Sequence, residues 1–225
     1  MTDPAADPAA HPDDHARHRA RLGRRMDLLF IVGSACFAVA SVPGIAAAVP
    51  EDVVVATYFI GSLFFTTAAA HQYVVTTGGP IAVWRPADPA WVAAVVQFVG
   101  TLWFNVNTFA ARNPGLDPQQ ENLRVWTPDF IGSICFLVAS GFAIAALDDR
   151  RWAADRPWWV AALNMTGSVF FMAAALAAYV LPDTGDLLDA SVANSGTLLG
   201  ALCFLVGARL DLGEWAPAES TAPAA

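Results

Sequence analysis

Six stretches of roughly 20 residues in this chain are nearly free of charge, near 26–49, 52–76, 91–112, 126–147, 157–181 and 190–211, and a helix crossing the hydrocarbon core of a bilayer takes about 20 such residues. One soluble core could not bury them all, since 56% of the 225 residues are hydrophobic and only 14% charged. In lipid every backbone N–H and C=O must be satisfied, which leaves the α-helix for segments of this length. The expected fold is all-α, a polytopic membrane protein with six transmembrane helices in contact with the lipid bilayer. Residues 26–48 follow Arg24 and Arg25 as a secretion signal would. The run is longer than the roughly 7–15 residues of a signal's apolar region, so it reads as a retained first span.

Charge orients this arrangement. All twelve basic residues are arginine. With the N-terminus inside, Arg17, Arg19, Arg21, Arg24, Arg25, Arg85, Arg150, Arg151, Arg156 and Arg209 fall on the cytoplasmic side and only Arg112 and Arg124 outside, the asymmetry that sets topology. The outer loops hold Glu51, Asp52, Asp117, Glu121, Asp183, Asp186 and Asp189, and the net charge of −8 argues against nucleic-acid binding. The place expected is a bacterial plasma membrane, with both termini cytoplasmic. Residues 1–25 and 213–225 carry no apolar period and read as disordered tails. His11, His15 and His18 would align on a helix in the first tail, but Pro12 and its surroundings oppose one.

A motif recurs in every span: glycine followed four residues later by phenylalanine, as GSACF from Gly33, GSLFF from Gly61, GTLWF from Gly100, GSICF from Gly132, GSVFF from Gly167 and GALCF from Gly200. Residues i and i+4 share a helix face, so each span offers a groove at glycine beside a ring one turn away, and small residues let helices approach closely in lipid. GSACFAVAS of span 1 nearly matches GSICFLVAS of span 4, and GSLFFTTAAAHQYV of span 2 resembles GSVFFMAAALAAYV of span 5. This divides the membrane domain into 26–112 and 113–212, two units of three helices. An odd number of spans inverts the second unit in the membrane. GALCFLVGA of span 6 also matches span 4, which fits a two-helix hairpin as the unit instead.

Span 3 is the most polar, with Gln97, Thr101, Asn105, Thr108 and Arg112 on one stripe. Lipid cannot satisfy such a stripe. It reads either as a solute path, with Asn194 of span 6 facing it, or as interhelical hydrogen bonding. His71 and Asp129 are candidates for a proton relay, against local roles for both: a carbonyl bond for His71, and for Asp27 and Asp129, which open spans 1 and 4, a place at the positive end of a helix dipole behind the apparent cap Thr127. Cys36, Cys135 and Cys203 all lie three residues after the motif glycine, without neighbours that would make a metal site. No Walker loop, GxSxG, HExxH or CxxC is present, so the chain is not read as an enzyme and no cofactor or metal is expected. The function expected is a small-solute channel or transporter with its path along span 3. The alternative is a non-transporting module that packs with itself or an unknown membrane partner through the glycine grooves.

The segments GTLWFNVNTFAA, WTPDFIGSICFLVAS, LNMTGSVFFMAAALAAYVLPDTG and GTLLGALCFLVGARL, within residues 91–212, resemble the YrhK-like bacterial membrane proteins. That resemblance implies a small multi-span protein and transfers no activity or site residue.

Overall fold

The computed structural model describes residues 12–79, 84–147 and 155–215. Among them run α1 (Pro12–Ser41), α2 (Pro43–Ala48), α3 (Glu51–Thr77), α4 (Pro89–Ala110), α5 (Pro118–Glu121), a π turn (Asn122–Trp126) leading into α6 (Thr127–Ala145), α7 (Arg156–Ala177), α8 (Ala190–Asp211) and a closing 3-10 turn (Leu212–Trp215). Helix starts follow local chemistry. Asp88, Asp117 and Asp189 stand one residue before α4, α5 and α8 and accept backbone N–H groups of the first turn, satisfying donors that have no partner inside the helix. At the end of α3, Gly78 takes the left-handed conformation, φ 79°, that a side chain would oppose.

Five segments are long and apolar enough to cross a membrane: Glu51–Thr77, Pro89–Ala110, Pro118–Ala145, Arg156–Ala177 and Ala190–Trp215. This is an integral membrane architecture. The first expected span, 26–49, is different. Its apolar helix runs only from Met26 to Ser41, because Pro43 lacks the N–H the helix would need and Val42 before it turns to extended backbone. The chain upstream also differs from expectation. The tail read as disordered is helical from Pro12, continuous with α1, where alanines and arginines favour helix and Arg17 pairs with Asp14 at 3.7 Å. Gly213, Glu214 and Trp215, also assigned to a tail, complete the 3-10 turn that packs against α1. Residues 1–11, with His11, and 216–225 lie outside the described residues.

The long helices form a closed ring in chain order: α1 beside α3, α3 beside α4, α4 beside α6, α6 beside α7, α7 beside α8, and α8 back against α1. Neighbours run antiparallel. The most extensive contacts join α1 with α3, α4 with α6 and α7 with α8, so the ring consists of three helical hairpins. The end at which α1 enters is called the near end below, the other the far end. Outward faces carry aliphatic side chains. Leu63, Leu102, Ile134, Val169 and Leu202, each two residues after a motif glycine, are all exposed. In water this would be an unfavourable surface, and in a bilayer it is the expected one.

Candidate functional site

The axis of the ring is filled by the six motif phenylalanines. Phe37, Phe104 and Phe171 form one triangle, with ring centroids 6.4, 6.2 and 6.0 Å apart. Phe65, Phe136 and Phe204 form a second, at 6.3, 6.0 and 5.6 Å. The triangles stack within hairpins, where Phe37 meets Phe65 at 5.6 Å, Phe104 meets Phe136 at 4.9 Å and Phe171 meets Phe204 at 5.5 Å. The void left among the rings is about 10 Å³, at the limit of holding one water. The axis is closed.

The glycines explain how six rings fit. In each hairpin the glycine of one helix faces the phenylalanine of the other, reciprocally: a Cβ added at Gly33 would lie 2.8 Å from Phe65, at Gly61 2.9 Å from Phe37, at Gly100 2.8 Å from Phe136, at Gly132 3.0 Å from Phe104, at Gly167 2.9 Å from Phe204 and at Gly200 3.2 Å from Phe171. Glycine is required there because the opposing ring occupies the space of a side chain. The groove predicted on each helix therefore holds a ring from the same hairpin, and all six motif glycines are buried. Two cysteines belong to the same seam. Cys36 and Cys135 approach to 2.9 Å from the positions a Cβ would take at Gly61 and Gly100. The residue after each glycine (Ser34, Ser62, Thr101, Ser133, Ser168 and Ala201) is fully buried at the contacts between helices. Ser62 bonds Thr108 at 2.9 Å across α3 and α4, and Ser168 bonds Ser140 at 2.9 Å across α6 and α7.

Above the second triangle, at the near end, lies a cavity of about 220 Å³. All six ring helices contribute to it, and its polar lining comes from Asp27, Gln72, Gln97, Ser140, Asn164 and Asp211, with Phe204 among the residues around it. Asp27 is 1% exposed. Its carboxyl group neighbours that of Asp211 and the indole of Trp215. Even so, Asp27 Oδ2, Trp215 Nε1 and Gln72 Oε1 have no hydrogen-bond partner of ordinary geometry. Trp215 reaches this place because Gly23 has no side chain; any Cβ there would run into the indole ring. Buried acceptors without partners are costly in an apolar surrounding. Asp27 thus has a different setting from the one expected, since α1 extends upstream of it and it is no first-turn residue.

The span 3 stripe divides. Gln97 lines the cavity. Thr101 is fully buried with its hydroxyl on Phe98 O at 2.7 Å, Thr108 bonds Ser62, and Asn105 Nδ2 donates to Thr66 Oγ1 at 2.8 Å, leaving Asn105 Oδ1 without a partner. Of the five expected path residues, Asn105 and Thr108 therefore bond hydroxyls of α3 across the seam between α3 and α4, while the Thr101 hydroxyl stays within its own helix. Asn194 is exposed on α8, which is not a ring neighbour of α4. The Asn105→Leu variant exchanges one hydrogen bond for apolar contact and removes an unpaired oxygen. Its stability should change by less than about 1 kcal/mol, read as an unchanged thermal midpoint in detergent.

His71 and Asp129 are not brought together. His71 is in the near-end half of α3 with Nδ1 against Thr67 O at 2.8 Å, the local carbonyl contact, and Asp129 is at the far-end start of α6. Thr127 is not the cap it resembles. Its hydroxyl and N–H both reach Asn122 O, inside a π turn that continues from α5. Pro128, having no N–H, leaves the preceding turn free to widen.

Sequence reasoning missed a clasp at the far end. Asn122 Nδ2 donates to Val180 O at 2.7 Å and Asn122 Oδ1 accepts Val180 N–H at 2.9 Å, so one amide side chain satisfies both backbone groups of a residue only 2% exposed. Trp126 Nε1 donates to Ala175 O at 2.8 Å beside it. Asn122→Ala should cost about 2 kcal/mol, because buried N–H and C=O groups lose their partners; denaturation of the purified variant measures this. Comparison with protein-family models, with curated proteins and with solved structures finds no match to this chain.

Proposed function

We propose that this chain spans the membrane six times and gates the passage of a small polar solute along the axis of the helix ring, the phenylalanine layers being the closed gate. The observation that carries this reading is the near-end cavity, where unpartnered acceptors on Asp27 and Gln72 converge. Ionisable groups inside membranes are rare and mark substrate or ion pathways, and apolar constrictions gate pores by excluding water. The route is axial, not along the outer part of span 3. The sixth span is α1 from Met26, supported by its forming with α3 the same reciprocal glycine–phenylalanine contacts as the other hairpins.

The repeat is best read as one helix used six times. Hairpins repeat around the axis, and α1 with α6 or α3 with α7 are related by inversion, so the three-plus-three pairing and the two-helix unit are both consequences of one ring. The arginine distribution orients the near end toward the cytoplasm of a bacterial cell, and the YrhK-like resemblance fits such a small multi-span protein. Docking of partners through the motif glycines has less support, because their own hairpins cover them.

Uptake of a panel of labelled small polar solutes into proteoliposomes tests the proposal. At least one should enter faster than into empty liposomes, and Asp27→Asn, nearly isosteric and still folded, should reduce that uptake about tenfold or more, corresponding to about 1.4 kcal/mol. Wild-type uptake equal to that of empty liposomes for every solute would favour a non-transporting module.

A further inference from the structure

A second cavity lies on the outer surface at the far end, a groove of about 800 Å³ between α4 and the π turn. Its walls are apolar and turned outward: Phe109 is 63% exposed and Leu123 68% exposed. Both arginines that the charge pattern places at this end, Arg112 and Arg124, line it. Neither has an acidic partner among the described residues, and the Arg112 guanidinium sits 5.4 Å over the Phe59 ring. The loops at this end are otherwise acidic, with Asp117, Glu121, Asp183 and Asp186, so this groove is a local cationic exception.

Depth identifies the occupant. From Trp103 to Ala110 the lining follows the last two turns of α4, roughly 10 Å at 1.5 Å per residue and about a third of the roughly 30 Å hydrocarbon thickness, and Arg112 stands two residues beyond the helix end. The groove therefore extends from the level where α4 ends to about a third of the way across the membrane. The arginines stand at the headgroup end and the apolar side chains below them. The π turn contributes to both parts, since Leu123 and Arg124 are consecutive residues within it; such turns recur where a helix is reshaped for a site.

We propose that this groove binds one anionic phospholipid, its phosphate between Arg112 and Arg124 and an acyl chain along α4 over Phe109 and Leu123. Arginine suits phosphate because its planar fork offers several donors at once. A free phosphate ion would use the arginines and leave the apolar walls without a role.

Native mass spectrometry of the purified full chain, equilibrated with equal amounts of phosphatidylglycerol and phosphatidylcholine, tests this. The wild type should retain phosphatidylglycerol at least tenfold over phosphatidylcholine, R112Q/R124Q should bring the ratio near one, and millimolar inorganic phosphate should not displace the lipid. Arg124→Gln alone, at an exposed side chain, should give an intermediate ratio and secures the test should the double variant misfold. Leu123→Gln should weaken retention with both arginines intact. Equal retention of the two lipids by the wild type, an unchanged ratio in the arginine variants, or displacement by inorganic phosphate would overturn the proposal.

Discussion

Gly132→Leu is expected to destabilise the chain by about 3 kcal/mol or more, enough to lower its thermal midpoint by several degrees and to cut the yield of monodisperse protein. A Cβ at this position would stand 3.0 Å from two Phe104 ring atoms and 3.2 Å from Gly100 O, so both a ring and a backbone must move. Gly141 on the same helix is the control. Its added Cβ would meet only Met165 Cε, at 4.0 Å, so Gly141→Leu should be tolerated and even gain helix propensity. Phe104→Ala should partly rescue Gly132→Leu by vacating the opposing space, a coupling expected of residues in contact. Equal thermal midpoints for the two leucine variants would show that the hairpin seam is not where close approach matters.

Phe136→Ala is the variant expected to change permeability most. Phe136 is 2% exposed and touches Phe65, Phe104, Phe171 and Phe204, so its removal opens the second layer and takes support from two rings of the first. Dewetting across a narrow apolar constriction depends steeply on its width, and lowering the barrier by about 1.4 kcal/mol already gives a tenfold faster leak. Proteoliposomes carrying Phe136→Ala should lose a trapped small dye at least that much faster than wild type, while Phe136→Leu, which keeps much of the volume, should leak less. Stability should fall too, by an amount set by how far the neighbouring rings collapse into the space. A variant that folds and leaks no faster than wild type would mean that the rings do not gate.

The helices were legible in the sequence because lipid forces backbone hydrogen bonds inward and length then decides the rest. The motif was legible as well, since an i, i+4 pair marks a face. Its partner was not. Spacing within one helix cannot say that the glycine faces the phenylalanine of the adjacent helix, nor that six rings meet on an axis. A fuller motif was available: the residue after each glycine is Ser, Thr or Ala, and the eighth after it is Ser41, Ala69, Thr108, Ser140, Ala175 or Ala208, all small or hydroxyl-bearing and all buried. Within that pattern Thr108 and Ser140 meet Ser62 and Ser168 between hairpins, and Ser41 meets Tyr58 within one.

The site was less legible. Gln97 lay on a visible stripe, but Asp27 and Asp211 are far apart in sequence, and only closure of α8 against α1 makes them neighbours. The stripe left two readings open because a polar face reads the same whether it meets water or another helix's hydroxyls, and Thr66 and Ser62 are the partners of Asn105 and Thr108. Pro43 and the pair Asp117–Pro118 were local signals. They mark the break after Ser41 and the true start ahead of α6, and both outrank apolar length as boundary markers.

Thiol accessibility at two depths tests the closed axis most directly. In a background lacking Cys36, Cys135 and Cys203, Gln97→Cys places a thiol in the near-end cavity and Thr101→Cys places one a turn deeper, where the native residue is fully buried. With an impermeant reagent applied to sealed vesicles of each orientation, Gln97→Cys should label from the near side alone and Thr101→Cys from neither. Labelling of Thr101→Cys, or of Gln97→Cys from the far side, would contradict a vestibule closed by phenylalanine.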